Sequence, residues 1–158
     1  MSARFVSLRD FPLPPFDDAE IYESEAHKEL HRLTAEADGL VLCGPVYNWS
    51  VSSELKRYIE SVGSYSGDRQ GALFDKVVTI VNAAGLPHSY MAFSNLAASL
   101  MLDFKCVVNP YVLYLHDRHW VDDALTDDAS ARVSKTMDVM IQLTQLLSGR
   151  TYASTWEL

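Results

Sequence analysis

Paired cysteines are missing from this sequence. Only Cys43 and Cys106 are present among 158 residues, and neither belongs to a C-x-x-C pair or lies at a zinc-like spacing from histidine, which argues against a disulfide scaffold or a zinc site. Each sits inside an apolar run, so both read as buried free thiols in a reducing cytoplasm. Positive charge is scarce as well. Against 21 Asp and Glu stand 13 Lys and Arg, a net charge of −8, so nucleic acid and anionic membrane are not expected partners, because both attract basic patches. No apolar run approaches the ~18 residues needed to cross a bilayer, and the amino terminus has no signal-peptide core. A cytoplasmic protein handling a small molecule is the expectation. Internal repeats and low-complexity tracts are lacking, and the length suits a single domain spanning residues 1–158.

Two apparent motifs are also set aside. Asp122, Asp123, Asp127 and Asp128 lack the spacing and glycine of a calcium loop and read as helix-capping residues. Asn48-Trp49-Ser50 matches a glycosylation acceptor, which a cytoplasmic protein does not present.

What is there is an alternation of strand and helix patterns. Residues 3–8 read as a short strand, and the prolines at 12, 14 and 15 then impose an extended connector. Ala26, Leu30, Leu33 and Ala37 recur at helical steps, predicting a helix over 25–37. Leu40 to Cys43, between Asp38-Gly39 and Gly44-Pro45, reads as a strand buried on both faces. Next, Leu55, Ile59 and Val62 predict a helix capped by Ser52 or Ser53, with Glu54 in its first turn. Residues 64–71 read as a loop, 76–83 as a second buried strand, 84–88 as a loop and 91–103 as a helix with Phe93, Leu96, Leu100 and Phe104 in one stripe. Asn109-Pro110 interrupts the β-rich run 105–115, leaving either a bent edge strand or a strand plus an extended arm. The last helix runs over 126–148, capped by Thr126 or Asp127 and stopped at Gly149. This β/α order predicts an α/β doubly wound parallel sheet of four strands flanked by helices. Ligands of such sheets sit beyond the carboxyl ends of the strands, which directs attention to the loop after Cys43.

That loop, Gly44-Pro45-Val46-Tyr47-Asn48-Trp49-Ser50-Val51 followed by Leu55-Lys56, resembles the P-x-Y-N-x-S loop and L-K helix start of the NADPH-dependent FMN reductase family, flavodoxin-like quinone and azo-compound reductases. Leu8 to Pro14, Ala37-Asp38-Gly39 and Ala84 to His88 resemble further family segments in the same order, so the likeness covers roughly residues 5–115. The resemblance implies a flavodoxin-like fold and a cofactor site in which Pro45, Tyr47, Asn48 and Ser50 line the isoalloxazine ring. Gly85 would let a second loop approach it closely. Trp49 stands where the family usually has a small residue, and an indole there could stack on the flavin, cover it or occupy its place. Chemistry in the family is the flavin's own, hydride transfer at N5, so no catalytic acid, base or nucleophile is required of the protein.

The resemblance further implies FMN as cofactor, NADPH or NADH as donor, a quinone, azo compound or free flavin as acceptor, and a homodimer or homotetramer built through residues 55–62 and 91–103. The strand, G-S-x-R-x-x-S loop and helix with which the family begins have no counterpart in these residues, so the fold is expected to be N-terminally truncated. Those elements hold the FMN phosphate through backbone donors and a helix end. The expected gap in the sheet lies beside the Leu40 strand; residues 3–8 could pair directly with that strand, which is favoured, dissociate from the sheet, or be supplied to a neighbouring chain as in a swapped dimer. A reading of a different class follows: a flavodoxin-like subunit that no longer binds FMN and serves as a binding or oligomerisation module. His88 reads as solvent-facing, and His116 to Trp120 as a solvated polar loop, in preference to one that reaches a nicotinamide cofactor or a dimer partner.

Overall fold

The structure, a computed structural model, describes residues 2–64 and 71–154. Most of the loop expected over 64–71 lies outside them. Contacts divide the chain into two compact units, one from residues 1–37 and 53–73 and the other from 38–52 and 74–158.

In the first unit, the Asp17 carboxylate accepts backbone N–H groups of Ala19, Glu20 and Ile21 at 3.0, 3.2 and 3.1 Å. These bonds, Ile21 and Ala19 foremost, hold the Asp17 carboxyl below the usual range. They close the 3-10 turn Glu20–Glu23, which buries Ile21. Ser24 then caps α1 (Glu25–Glu36), its side chain accepting the N–H of His27. A buried hydroxyl pair, Thr34 with Tyr58 at 2.7 Å, joins α1 to α2 (Ser53–Gly63). Leu55, Ile59 and Val62 are buried on α2 at the expected helical spacing.

Residues 3–8 do not form the expected strand, nor do they pair with the Leu40 strand: they run without regular structure into a 3-10 turn at Leu8–Asp10. Phe5 is 91% exposed. A strand exists only through a ladder partner, and among the described residues this segment has none.

The second unit holds a parallel sheet. β1 (Gly39–Pro45) pairs along its whole length with β2 (Val77–Ala83), and β2 pairs in turn with β3 (Val107–Val108) and β4 (Leu113–Leu115). The count of four strands is met, yet β3 and β4 occupy one strand's place. Between the pairings Val78↔Val108 and Val81↔Leu113, β2 spends two residues and its partner four. Asn109 organises that bulge. Its side-chain NH2 donates to Thr79 Oγ1 and Thr136 O, both at 3.0 Å, while its Oδ1 accepts the N–H of Tyr111 at 2.9 Å.

β2 is buried along most of its length, as its near-continuous apolar run requires. β1 is not buried on both faces. It is an edge strand in which only Leu42 is fully buried, Val41 is 39% exposed, and Cys43 is exposed rather than buried. Cys106 does lie buried, and desolvation pushes its thiol up to about 12. α3 (Ser94–Phe104) buries Leu96, Leu100 and Phe104 and ends at Lys105 in the left-handed conformation. Packed on β2 and β4, α4 (Asp127–Leu147) turns Ala129, Thr136 and Thr144 inward, and Thr126 caps it by accepting the N–H of Ala129. Gly39 is set so close to this helix that a Cβ would lie 2.9 Å from Thr144 Oγ1.

One element was not expected. β5 (Trp120–Val121) and β6 (Ala124–Leu125) form an antiparallel hairpin turning on Asp122 and Asp123, with φ of 48° and 62°. These two aspartates are turn residues and not helix caps, because short polar side chains tolerate left-handed backbone. Asp127 and Asp128 do occupy the first turn of α4.

Candidate functional site

Three loops leave the carboxyl ends of parallel strands in the second unit. The first follows β1. Pro45 is the last residue of that strand, and the N–H of Val46 donates to Ala83 O at 2.8 Å, fixing the loop to the end of β2. Tyr47 and Ser50 then exchange backbone bonds, each N–H to the other's C=O at 2.9 Å. Asn48 and Trp49 between them have φ of 51° and 60°, the signature of a type I′ turn.

Asn48 suits this conformation. Trp49 does not: a bulky side chain in the left-handed region costs about 1–2 kcal/mol. Tyr47 and Trp49 are 59% and 58% exposed, so burial of these rings within the chain does not offset the strain. The pairing of Tyr47 with Ser50 consumes their backbone groups and leaves the peptide N–H groups of Asn48 and Trp49 without a hydrogen-bond acceptor among the described residues.

The second loop follows β2. Ala84 N–H donates to Leu115 O at 2.9 Å, and the Tyr114 hydroxyl donates to Leu86 O. Between these anchors, Gly85 has room. A Cβ there would meet the Asp117 carboxylate oxygens at 3.7 and 3.9 Å, ordinary contact, and its φ lies outside the left-handed region. Neither backbone strain nor crowding inside the chain therefore demands glycine. His88 is exposed, as expected. Beneath the two loops, Asn82 is 1% exposed and its side-chain NH2 has no partner among the described residues. It pairs in register with Gly44 on one side and Tyr114 on the other.

The third loop, after β4, contains the 3-10 turn Asp117–His119. His119 Nδ1 accepts the N–H of His116 at 3.2 Å, and the two imidazoles lie 4.0 Å apart between centroids. Arg132 of α4 places Nη1 at 3.4 Å from His119 Nε2. Desolvation, then the neighbouring His116 and Arg132, hold the His119 pKa below its ordinary value, against an opposing pull from Asp128.

The structure thus brings Tyr47, Asn48, Trp49 and Ser50 into one tight turn and leaves Pro45 at the end of β1, with Val46 between them tethered to the end of β2, beside which the Gly85 loop begins. Sequence reasoning missed Asn82, whose signal was a lone amide inside the run Val77 to Ala83. It also missed Tyr114, which braces the second loop, and Arg132, which lies 13 residues from the histidine it faces. Among the described residues no cluster of histidine, cysteine and carboxylate could hold a metal ion, and no helix is long and apolar enough to cross a membrane.

Several solved structures share this architecture. The flavoenzyme NAD(P)H:(acceptor) oxidoreductase FerB from Paracoccus denitrificans superposes with a TM-score of 0.69 at 19% identity, covering 88% of this chain and 78% of its own. An NADH:FMN oxidoreductase in its apo form gives 0.62 at 19% identity, with coverages of 87% and 70%. For an oxidoreductase from Corynebacterium diphtheriae the values are 0.61 and 16%, with 81% of this chain covered and 65% of that one, so the present chain spans just under two thirds of its length. These likenesses establish a flavodoxin-like α/β fold. No curated protein matches the sequence. The family profile described as NADPH-dependent FMN reductase does match, over residues 1–117, a span that takes in β1, the Tyr47–Ser50 turn, β2, the Gly85 loop and β4. The chain belongs to the NADPH-dependent FMN reductase family.

Proposed function

We propose that the turn at Tyr47–Ser50 and the loop at Gly85 form the ring-binding part of an FMN site, and that the chain is a flavin-dependent oxidoreductase using NADPH or NADH. One observation carries this reading. The turn holds Trp49 in a strained conformation, exposes two aromatic rings and leaves adjacent peptide N–H groups unpaired, at the mouth of a parallel sheet. A flat heteroaromatic ring with carbonyl acceptors along one edge suits such a surface. At the adjoining Gly85 the protein itself has room for a Cβ, and the glycine leaves that space open.

When bound, FMN supplies hydride acceptance at N5 and delivery to a quinone, an azo compound or free flavin. The residues of this chain bind and orient. Asn48 and Trp49 offer backbone donors to the pyrimidine edge, and Tyr47 and Trp49 offer ring faces. Pro45 ends the strand that leads into the turn, Ser50 closes the turn on Tyr47, and Gly85 admits the ring closely. The two loops, residues 44–52 and 84–93, contain neither Lys nor Arg, so they supply no cationic partner to the FMN phosphate.

That last point supports a second reading, a family member that serves as a binding or oligomerisation module without FMN. The exposed apolar residues Met101 and Leu102 on α3 support self-association as a homodimer or homotetramer in either case. Titration with FMN, followed by quenching of flavin fluorescence and by size-exclusion chromatography, separates the two. Saturable quenching that is lost in Asn48→Pro, together with NAD(P)H oxidation, supports the oxidoreductase. A protein that stays colourless at excess FMN supports the module.

A further inference from the structure

The third loop contains a contact that its own residues leave unresolved. A neutral imidazole has one lone pair and one N–H. His119 faces a donor at both nitrogens, the His116 N–H at Nδ1 and the Arg132 guanidinium at Nε2. In the tautomer that keeps the bond from the His116 N–H to Nδ1, the proton sits on Nε2. Two donors, Nε2–H and Nη1–H, then confront each other at 3.4 Å with no acceptor between them.

No carboxylate relieves this. Among the described residues neither His119 nor Arg132 has an acidic group within 4.0 Å. Arg132 stands four residues beyond Asp128 on α4, where an i, i+4 ion pair is available, yet its guanidinium is directed at the imidazole. The nearby Asp117 carboxylate lies against Gly85. An oxygen carrying negative charge, placed between the two nitrogens, would accept from both.

We propose that His119 and Arg132 form a recognition site for a phosphate monoester dianion on a molecule bound across the second and third loops. The contact of Asp117 with the Gly85 position places this pair beside the proposed ring site. β4 lies two ladder steps from β1, about 10 Å at the usual strand spacing, a distance a nucleotide phosphate spans from the ring it reaches. A charge-assisted bond from the guanidinium, with the imidazole Nε2–H donating beside it, suits a phosphate better than a neutral group. Bound dianion would also stabilise the protonated imidazole, reversing the effect of Arg132 on His119. The charged and titratable groups acting on His119 are His116 of the loop and Asp128 and Arg132 of α4, and Asp128 opposes the anion.

The phosphate could belong to the dinucleotide donor or to the flavin, a choice that rests on the function proposed above. Binding of phosphate itself does not, and it is measured without flavin. In histidine-detected NMR of the flavin-free chain, millimolar inorganic phosphate is expected to shift the His119 resonance saturably and to raise its titration midpoint, while chloride does neither. Arg132→Gln should weaken this binding about tenfold, and Asp128→Asn should strengthen it. Displacement by adenosine 2′-monophosphate but not adenosine assigns the donor; displacement by FMN but not riboflavin assigns the cofactor. Indifference of His119 to phosphate, or an equal response in Arg132→Gln, overturns the proposal. A chain that binds phosphate here but never flavin would overturn only the oxidoreductase reading.

Discussion

Twice in the second unit the backbone makes the same two-residue left-handed turn, once after β1 at Asn48-Trp49 and once between β5 and β6 at Asp122-Asp123. The dihedrals are alike and the residues are not. Aspartate tolerates positive φ, so the 122–123 turn is made of what its geometry asks for. Tryptophan is among the residues that geometry least favours, and Trp49 sits there with more than half its surface in water. A turn built for the chain alone would resemble the first description. The difference separates residues that serve the fold from residues whose placement is explained by something outside it.

Four substitutions or conditions can break or sharpen that contrast. The largest effect is expected at Gly85, which belongs to the same open rim. Gly85→Val should leave the urea midpoint nearly unchanged, since a Cβ fits. FMN affinity, read by fluorescence quenching, should fall about ten- to a hundredfold through a clash worth about 1–3 kcal/mol. Unfolding in that variant would show that the glycine serves the chain after all. Next, Trp49→Gly should raise stability by about 1 kcal/mol in denaturant titration, because relief of left-handed strain exceeds the added unfolded-state entropy of glycine. The matching change in the other turn, Asp123→Gly, should alter stability by only a few tenths of a kcal/mol. Equal gains at both sites would dissolve the distinction. The smallest effect concerns pH. His119 binds its proton less readily in the folded chain than its ordinary value of 6.5, so the unfolded chain takes up more protons as pH falls through that region. Its contribution to stability is present above 6.5 and is lost on acidification. His119→Asn should flatten that part of the urea-midpoint profile.

Legibility in the sequence followed the range of the deciding interaction. α1, α2 and α4 were readable because apolar spacing and caps such as Thr126 are local. β2 was readable because burial on both faces needs an unbroken apolar run. β1 carries a similar run, but its outer edge and Cys43 are exposed because no strand among the described residues covers them, and a strand's position in a sheet is not written in the strand. Residues 3–8 failed for the same reason. At 122–123 the ambiguity was chemical, since aspartate favours both helix starts and left-handed turns. At Asn109-Pro110 the sequence leaves two alternatives, and both strand halves pair with β2. For the site, Pro45 to Ser50 are neighbours in sequence and a motif can single them out, whereas the orphaned Asn82 and the meeting of His119 with Arg132 depend on packing between distant residues.

The exposed edge of β1 carries one more consequence, which begins at Pro45. In a parallel ladder alternate residues direct their amides to opposite neighbours, and Val46 N–H donates toward β2. Gly44, Leu42 and Leu40 share that direction, which leaves Val41, Cys43 and Pro45 turned outward. Proline, having no amide hydrogen, fits an edge strand only on that outward parity. Deuterium uptake along this strand should therefore alternate residue by residue, slow at 40, 42 and 44 and fast at 41 and 43. Any molecule that settles on the edge would announce itself by slowing the odd-numbered amides alone.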